Sequence, residues 1–346
     1  MAVEEAAAEG AAGEAEASGT PEDKEAADAV AAMIDAIYVQ EWTEETDAQI
    51  EAAKAGWDAL TDEQKALVEG EEADPDYFGR DTGDASADDP RNVGEIGENE
   101  LLVVSFGTSF NESRALDIGG IEAALQEAYP DWSVRRAFTS QIIINHIQAR
   151  DGEKIDNVGQ ALARAKEKGV KNLVVQPTHL MHGAEYDDLI AAVQAVAGDF
   201  ETVRVAEPLL GEVGEDATVI NEDKAAVAEA VVAQAMEDAG YADPAAAAAD
   251  GTALVLMGHG TAHVAKVTYS QMQAQMDALG YTNVFVGTVE GEPEETACDV
   301  IIGKVKEAGF TKVLLRPLMV VAGDHANNDM AGDDDDSWKS MFEADG

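Results

Sequence analysis

The sequence predicts an α/β protein: two similar domains with parallel sheets flanked by helices and a cleft between them, preceded by a small α-helical module. Three observations carry this. From Glu100 onward, short apolar runs alternate with stretches of helical periodicity, the pattern of successive strand–helix–strand units. The run at 101–108 (LLVVSFGT) returns 153 residues later at 254–261 (LVLMGHGT), which marks a duplicated fold. Before residue 100 the periodicity is helical only, with Val30, Met33, Ile34, Ile37 and Tyr38 on one stripe and Ile50, Ala53, Trp57 and Leu60 on a second.

Taken in order, residues 1–24 are Ala, Glu and Gly in low-complexity order, too poor in large apolar groups to fold, and are expected as a disordered acidic tail. Residues 25–70 read as a helical hairpin or three-helix unit, with capping boxes at Thr46/Gln49 and Thr61/Gln64 marking helix starts. This unit resembles the short Ala-rich helical modules, ending in motifs like DALTDEQKALV, of exported bacterial surface proteins. Residues 71–98, rich in Asp, Gly and Pro, read as a linker. An N-terminal α/β domain follows at 99–210 and a C-terminal one at 211–346. Strands are expected at 101–104, 134–138, 173–176, 203–206, 253–257, 284–287 and 313–316. The first half has a fourth strand at Val203, so the second should begin its own near residue 343; with the sequence ending at Gly346, a truncated C-terminal domain is expected.

The formal charge of −48 comes from 70 acidic against 22 basic side chains. Such a balance excludes nucleic acid and an anionic membrane surface as partners, because phosphate binding depends on Lys and Arg. Residues 1–100 carry 30 acidic and 5 basic residues, about half of the imbalance. A single cysteine, Cys298, excludes a disulfide framework and a Cys-based zinc site. No run is apolar enough to insert in a membrane, and no basic and hydrophobic leader is visible. The sequence as written therefore reads as cytoplasmic, whereas the helical module points to an extracytoplasmic or cell-surface place. No GxxxxGK[ST] or GxGxxG motif is present, so no nucleotide is expected.

The repeat also locates chemistry. Residues 253–257 form an apolar run that ends in Gly258-His259-Gly260, presenting an imidazole at the carboxyl end of a buried strand, where ligands bind in parallel sheets. In the first copy Phe106 holds the place of His259. After the third strand of each copy, Pro177, Gly183 and Glu185 match Pro317, Gly323 and His325 at identical spacing. Two imidazoles and a carboxylate suit a mid-series divalent ion such as Co, Ni, Fe or Zn, and leave coordination positions open. His179 and His182 read either as groups orienting Glu185 or as ordinary core and surface residues. Ser105 lies outside any G-x-S-x-G elbow. The turn Gly107-Thr108-Ser109 offers backbone N–H groups to a carboxylate, or is a plain strand-to-helix turn. The run Asp333 to Asp336 reads as a solvated face.

These segments, LLVVSFGTSF, RAFTS, HLMHGAEYDDL, LVLMGHGTAH and above all RPLMVVAGDHANNDMAGDDDDSWK, resemble the anaerobic-type, ATP-independent (class II) sirohydrochlorin cobalt chelatases of cobalamin biosynthesis, over about residues 101–342. The resemblance implies two chelatase-like domains facing a cleft, His259 and His325 as paired catalytic and metal-binding histidines, Glu185 as the third metal ligand, and Co2+ as the metal inserted, with Fe2+ or Ni2+ as alternatives. It implies sirohydrochlorin or precorrin-2 as the tetrapyrrole partner and is compatible with a homo-oligomer. Ser105, Gly107, Thr108, Arg136 and Arg316, together with Lys266, are the candidates for holding the acidic substrate, since so acidic a protein needs local cations to attract it. The rival reading is an exported, non-catalytic protein that binds haem, another tetrapyrrole or metal on the same fold. A purely adhesive protein leaves the paired histidines unexplained.

Overall fold

A computed structural model describes residues 19–78, 83–89 and 91–346. Chain contacts divide it into two compact units, one up to Asp81 and one from Thr82 to Gly346. In the first unit, helix α1 (Pro21–Ile37) starts earlier than its periodicity predicts, within the expected tail, because Thr20 and Asp23 form a reciprocal capping box and Pro21 is preset for the first turn. Up to Ser18 the expected tail lies outside the described residues. Ala27, Val30, Ala31, Ile34 and Ile37 bury the stripe that packs on α2 (Thr46–Ala59), which answers with Ile50, Ala53 and Trp57. Helix α3 (Asp62–Lys65) carries the expected capping box at Thr61 and Gln64. The expected box at Thr46 does not form. Thr46 is itself the first helical residue and is buried, and its hydroxyl accepts the Thr43 N–H instead. Asp35 closes the unit by accepting the N–H groups of Glu71, Glu72 and Ala73. Residues 71–73 are thus folded onto α1, inside the stretch read as linker.

In the second unit, the first half runs β1 (Asn99–Ser105), α4 (Asn111–Ser113) continued by a π turn over Arg114–Ile118, α5 (Gly119–Ala128), β2 (Ser133–Phe138), α6 (Gln141–Asp151), α7 (Val158–Glu167), β3 (Asn172–Pro177), α8 (Ala184–Val196) and β4 (Thr202–Val205). The second half runs α9 (Glu222–Ala239), α10 (Pro244–Ala249), β5 (Thr252–Gly258), α11 (Val267–Ala278), β6 (Val284–Thr288), α12 (Cys298–Glu307), β7 (Lys312–Pro317) and α13 (Trp338–Asp345). Every strand pair is parallel, in the orders β2-β1-β3-β4 and β6-β5-β7, so all seven expected strands are present. β5 is buried along its whole length, as an unbroken apolar run requires.

Register supports the duplication residue by residue. Leu101 faces Val134 on one side and Val174 on the other; Leu254 faces Val284 and Leu314. These are the pairs that the sequence offsets align. The glycine after each central strand is matched as well: Gly107 and Gly260 both turn with positive φ, +104° and +95°, which only glycine adopts without strain. The correspondence reaches the start of the next helix: α8 opens at Ala184, and a helical turn over 324–330, with His325 in it, opens at the matching place. The strand expected near residue 343 is absent, and those residues end α13, whose start is capped by Ser337 and whose Trp338 and Phe342 pack one turn apart against Ile301 and Val305. Past the turn at 324–330 the offset of 140 no longer holds: residues 331–337 are neither helix nor strand, whereas α8 runs on to Val196.

The two halves share a core. Met181 and Leu210, with Leu180 beside them, pack with Val232, Met236, Leu254, Leu256, Tyr269 and Met272 of the second half. Residues 83–98, read as linker, also belong to this unit: Asp88 is buried, Asn92 accepts the Arg136 N–H and Glu95 accepts from Arg135. None of the described helices is long and apolar enough to cross a membrane.

Candidate metal site between the two halves

Parallel strands place all their carboxyl ends on one edge, and there the loops of both halves meet. Two loops of the second half bring imidazoles together. His259 follows β5 directly, His325 follows β7, and the two rings lie 4.5 Å apart at 77°. Each ring is oriented through Nδ1. His259 Nδ1 lies 2.7 Å from the Gly260 carbonyl and His325 Nδ1 2.6 Å from an Asp329 carboxylate oxygen. A carbonyl can only accept, so His259 Nδ1 carries the hydrogen and Nε2 keeps its lone pair; a carboxylate imposes the same tautomer on His325. Neither Nε2 has a protein partner among the described residues. Ligating histidines in metal sites are oriented in this way, by a second hydrogen bond that leaves the other nitrogen basic.

The loop bearing His259 is held from below by Tyr269, which lies on α11. Its hydroxyl accepts the Gly260 N–H at 3.1 Å. Burial pushes the phenol pKa up, those backbone donors pull it back, and the nearby Glu185 carboxylate adds to the rise. Tyr269 thus stays a neutral phenol. Glu185 stands in the first turn of α8, exposed, with its carboxylate folded towards Gly183. His179 is the other group that senses Glu185: burial pushes its pKa down, Glu185 only partly opposes this, and neither ring nitrogen has a hydrogen-bond partner among the described residues. It is a neutral imidazole behind the carboxylate. His182 pairs with Glu207, and His263 reaches Asp187 on α8 at 3.5 Å, a further tie between the halves.

Other sequence-predicted residues behave differently. Among the described residues no group of three or more His, Cys, Asp or Glu side chains is arranged to hold a metal, so Glu185 does not join the two imidazoles in a preformed triad. Arg136, expected to hold the substrate, has its guanidinium engaged elsewhere. It is fully buried inside the first half, donating to both oxygens of Asp88 and of Glu122, because a cation inside a strand layer must be compensated there. Arg316 points to Asp238 near the end of α9 and Lys266 to Glu292, so both candidate cations are already paired on the surface. Ser105 is buried, its oxygen accepting the Thr178 hydroxyl. Thr108 is buried too, its hydroxyl closing the turn by accepting the Phe110 N–H. Gly107 packs against Phe138. Phe106, the counterpart of His259, is exposed at the end of β1.

Sequence reasoning misses Asp329 and Tyr269. The first had a signal, its i,i+4 spacing from His325; the second had none, since it lies ten residues after His259 with nothing to mark it. A groove of about 280 Å3 along β7, α12 and α13 is lined by Val305, Phe310, Val313, Leu315 and Phe342 and has no imidazole in its lining.

Comparison with known proteins shows the family. The family model described as Cobalt chelatase (CbiK) matches residues 99–346. A curated sirohydrochlorin cobaltochelatase of Salmonella typhimurium (strain LT2) is 36% identical over 246 residues, covering 71% of this chain and 85% of that protein. The sirohydrochlorin cobaltochelatase CbiKC of Nitratidesulfovibrio vulgaris (Hildenborough) is 34% identical over 248 residues, 71% of this chain and 80% of its own length. With the family matched from the first strand to Gly346, this chain belongs to the cobalt chelatase (CbiK) family.

Proposed function

We propose that this protein is a sirohydrochlorin cobaltochelatase, a lyase-class enzyme that inserts Co2+ into sirohydrochlorin or its precursor precorrin-2 without a nucleotide. The observation that carries the site assignment is the pair of imidazoles 4.5 Å apart, each with Nδ1 engaged and Nε2 unengaged. Insertion replaces two pyrrole N–H protons by one divalent ion, so the site must first hold the ion and then take two protons. His259 and His325 do both in turn. Each gives its Nε2 lone pair to Co2+; when the ion passes to the pyrrole nitrogens, the two vacated Nε2 atoms accept the two protons, and charge and atoms balance. Asp329 stabilises the imidazolium formed on His325, and the Gly260 carbonyl orients that formed on His259. Glu185, in the first turn of α8 on the other half, is assigned the task of offsetting the charge of the arriving ion. A site of borderline nitrogen ligands discriminates weakly by affinity, so Fe2+ and Ni2+ are also inserted.

The test is direct. Purified protein is mixed with sirohydrochlorin and Co2+, and the absorbance change of metallation is followed for the wild type and for His259→Ala and His325→Ala. Each substitution is expected to slow insertion about 100-fold or more, as loss of an acid–base group does. Unchanged rates in both would refute the assignment. Tight retention of Co2+ or tetrapyrrole without turnover would favour the binding-protein reading.

A further inference from the structure

His325 stands at the start of a short helical turn, residues 324–330, reached through the loop after β7, and a metal ligand there must be held to within a fraction of an ångström to act reproducibly. The loop's own half provides only part of the restraint. Ala322, three residues before His325, has both backbone groups bonded to the opposite half. Its N–H donates to Asp117 Oδ2 at 3.1 Å, and its carbonyl accepts from the Ser113 hydroxyl at 2.6 Å. On either side of it the loop is packed on the same surface: Val321 against Ile118 and Phe138, and Gly323 so near Thr108 that an added Cβ would lie 3.4 Å from its Oγ1. Ser113 and Asp117 are four residues apart, on one face of the segment that passes through the π turn, so they act as the two jaws of one grip. That segment is itself fixed, because Arg114 between them is buried and donates to Asp88, to the Thr108 carbonyl and to Asn111.

We infer that Ser113 and Asp117 are positioning residues for metal insertion: they clamp the backbone of the His325 loop onto the first half and so set the distance between the two imidazoles. The inference rests on the role assigned to His325 above. Without the clamp the loop retains its fold but His325 swings relative to His259, and the ion loses simultaneous contact with both Nε2 atoms.

The experiment compares Co2+ insertion into sirohydrochlorin by the full chain carrying Asp117→Ala, Asp117→Asn, Ser113→Ala, His325→Ala and the double variant Asp117→Ala/His325→Ala, with thermal melting as the check on folding. Asp117→Ala should lower kcat by about 10- to 100-fold, the range for groups that orient a metal ligand, while KM for sirohydrochlorin moves by less than about twofold. Asp117→Asn keeps an oxygen that accepts the Ala322 N–H and should restore kcat to within about threefold of wild type. Added to His325→Ala, Asp117→Ala should cost nothing more, because there is no longer a ring to position. The clamp is overturned if Asp117→Ala inserts at the wild-type rate, if Asp117→Asn is as slow as Asp117→Ala, or if the two losses multiply in the double variant. If Asp117→Ala does not fold, Ser113→Ala tests the same grip from the carbonyl side, and a wild-type kcat there overturns it equally. A slow His325→Ala beside a fast Asp117→Ala sinks the clamp alone; a fast His325→Ala sinks the site assignment itself.

Discussion

The two halves of the α/β unit share topology and register, yet they have divided the work. Phe106 stands at the end of the first central strand and His259 at the end of the second; Glu185 stands where the other copy has His325. The interiors differ as sharply. The first half buries Glu100, Arg114, Glu122, Arg135 and Arg136, with Asp88 from the preceding segment, whereas the second buries Lys224 on α9, whose ammonium donates to the Leu210 and Glu212 carbonyls, and from β5 onward its buried polar groups among the described residues are hydroxyls and amides. Both imidazoles belong to the half that buries fewer charges, and the more charged half supplies a carboxylate and the anchoring face. Duplication thus gives two frames whose loops meet. Divergence then lets one frame be stiffened by ions, which exact geometry from their neighbours, while the other keeps its ligands free of competing charge.

The strongest way to break this contrast is at Asp88. Its side chain is wholly buried and accepts from Arg136 through both oxygens and from Arg114 through one. Asp88→Ala leaves two guanidiniums in the interior, Arg136 with Glu122 and Arg114 with only the longer contacts to Glu153 and Asp151, and should lower the unfolding free energy by about 3–5 kcal/mol in a urea titration. Removing a buried polar group from the second half, as in Gln275→Leu, should cost well under half of that. The Asp88 contribution also has a sign in pH. Burial pushes its pKa up, but the hydrogen bonds and charges of Arg136 and Arg114 outweigh this and hold it below the ordinary 3.8. A depressed carboxylate stabilises above its unfolded pKa and loses that stabilisation as pH falls through the folded value. The advantage of wild type over Asp88→Asn should therefore be full at neutral pH and shrink below about pH 4. Equal losses for Asp88→Ala and Gln275→Leu would remove the distinction between the halves.

The next effect is smaller and belongs to the other half. Asp329 is the only carboxylate bonded to either paired imidazole among the described residues, so Asp329→Asn weakens the basicity and orientation of His325 without touching the first half. Its expected consequence is a loss of about 10- to 100-fold in insertion rate with an unfolding midpoint near that of wild type. A large fall in stability with an unchanged rate would place Asp329 among the structural ions and sharpen the contrast in the opposite direction.

How much of this was legible beforehand depends on what periodicity can carry. Strands, their repeat and the placement of His259 and His325 at strand ends follow from apolar runs and glycines, because those patterns are local and the parallel sheet repeats them. Arg136 shows the limit. A basic residue near a strand end looks like a substrate ligand, and nothing local reveals that Asp88, 48 positions earlier, lies against it. Asp88 in turn sits in a stretch whose Asp, Gly and Pro content reads as linker. Ionic partners remote in sequence leave no period, and neither do the bonds from Ser113 and Asp117 to a loop two hundred residues on. The helix over the last residues was hidden for a different reason: the repeat was extended past residues 331–337, where the offset fails, and Ser337, Trp338 and Phe342 carried the local signal that should have prevailed.

The finest test uses a matched pair of hydroxyls, one under each set of loops. Thr178 donates to buried Ser105 at the end of β1, and Tyr269 accepts the Gly260 N–H beyond the end of β5. Thr178→Val and Tyr269→Phe each remove one hydrogen bond to a buried partner, and each should cost about 1 kcal/mol of stability. Their kinetic effects should part. The loop beyond β5 carries His259, so releasing its Gly260 N–H loosens a ligand and should slow insertion several-fold, on the scale of 1 kcal/mol. Beyond β1 the corresponding position is Phe106, which has no lone pair to misplace, and Thr178→Val should insert Co2+ at close to the wild-type rate. Stopped-flow metallation of both variants decides the matter: equal slowing would mean that the two loops contribute alike, and that the duplicated frames have not divided their roles as the imidazoles suggest.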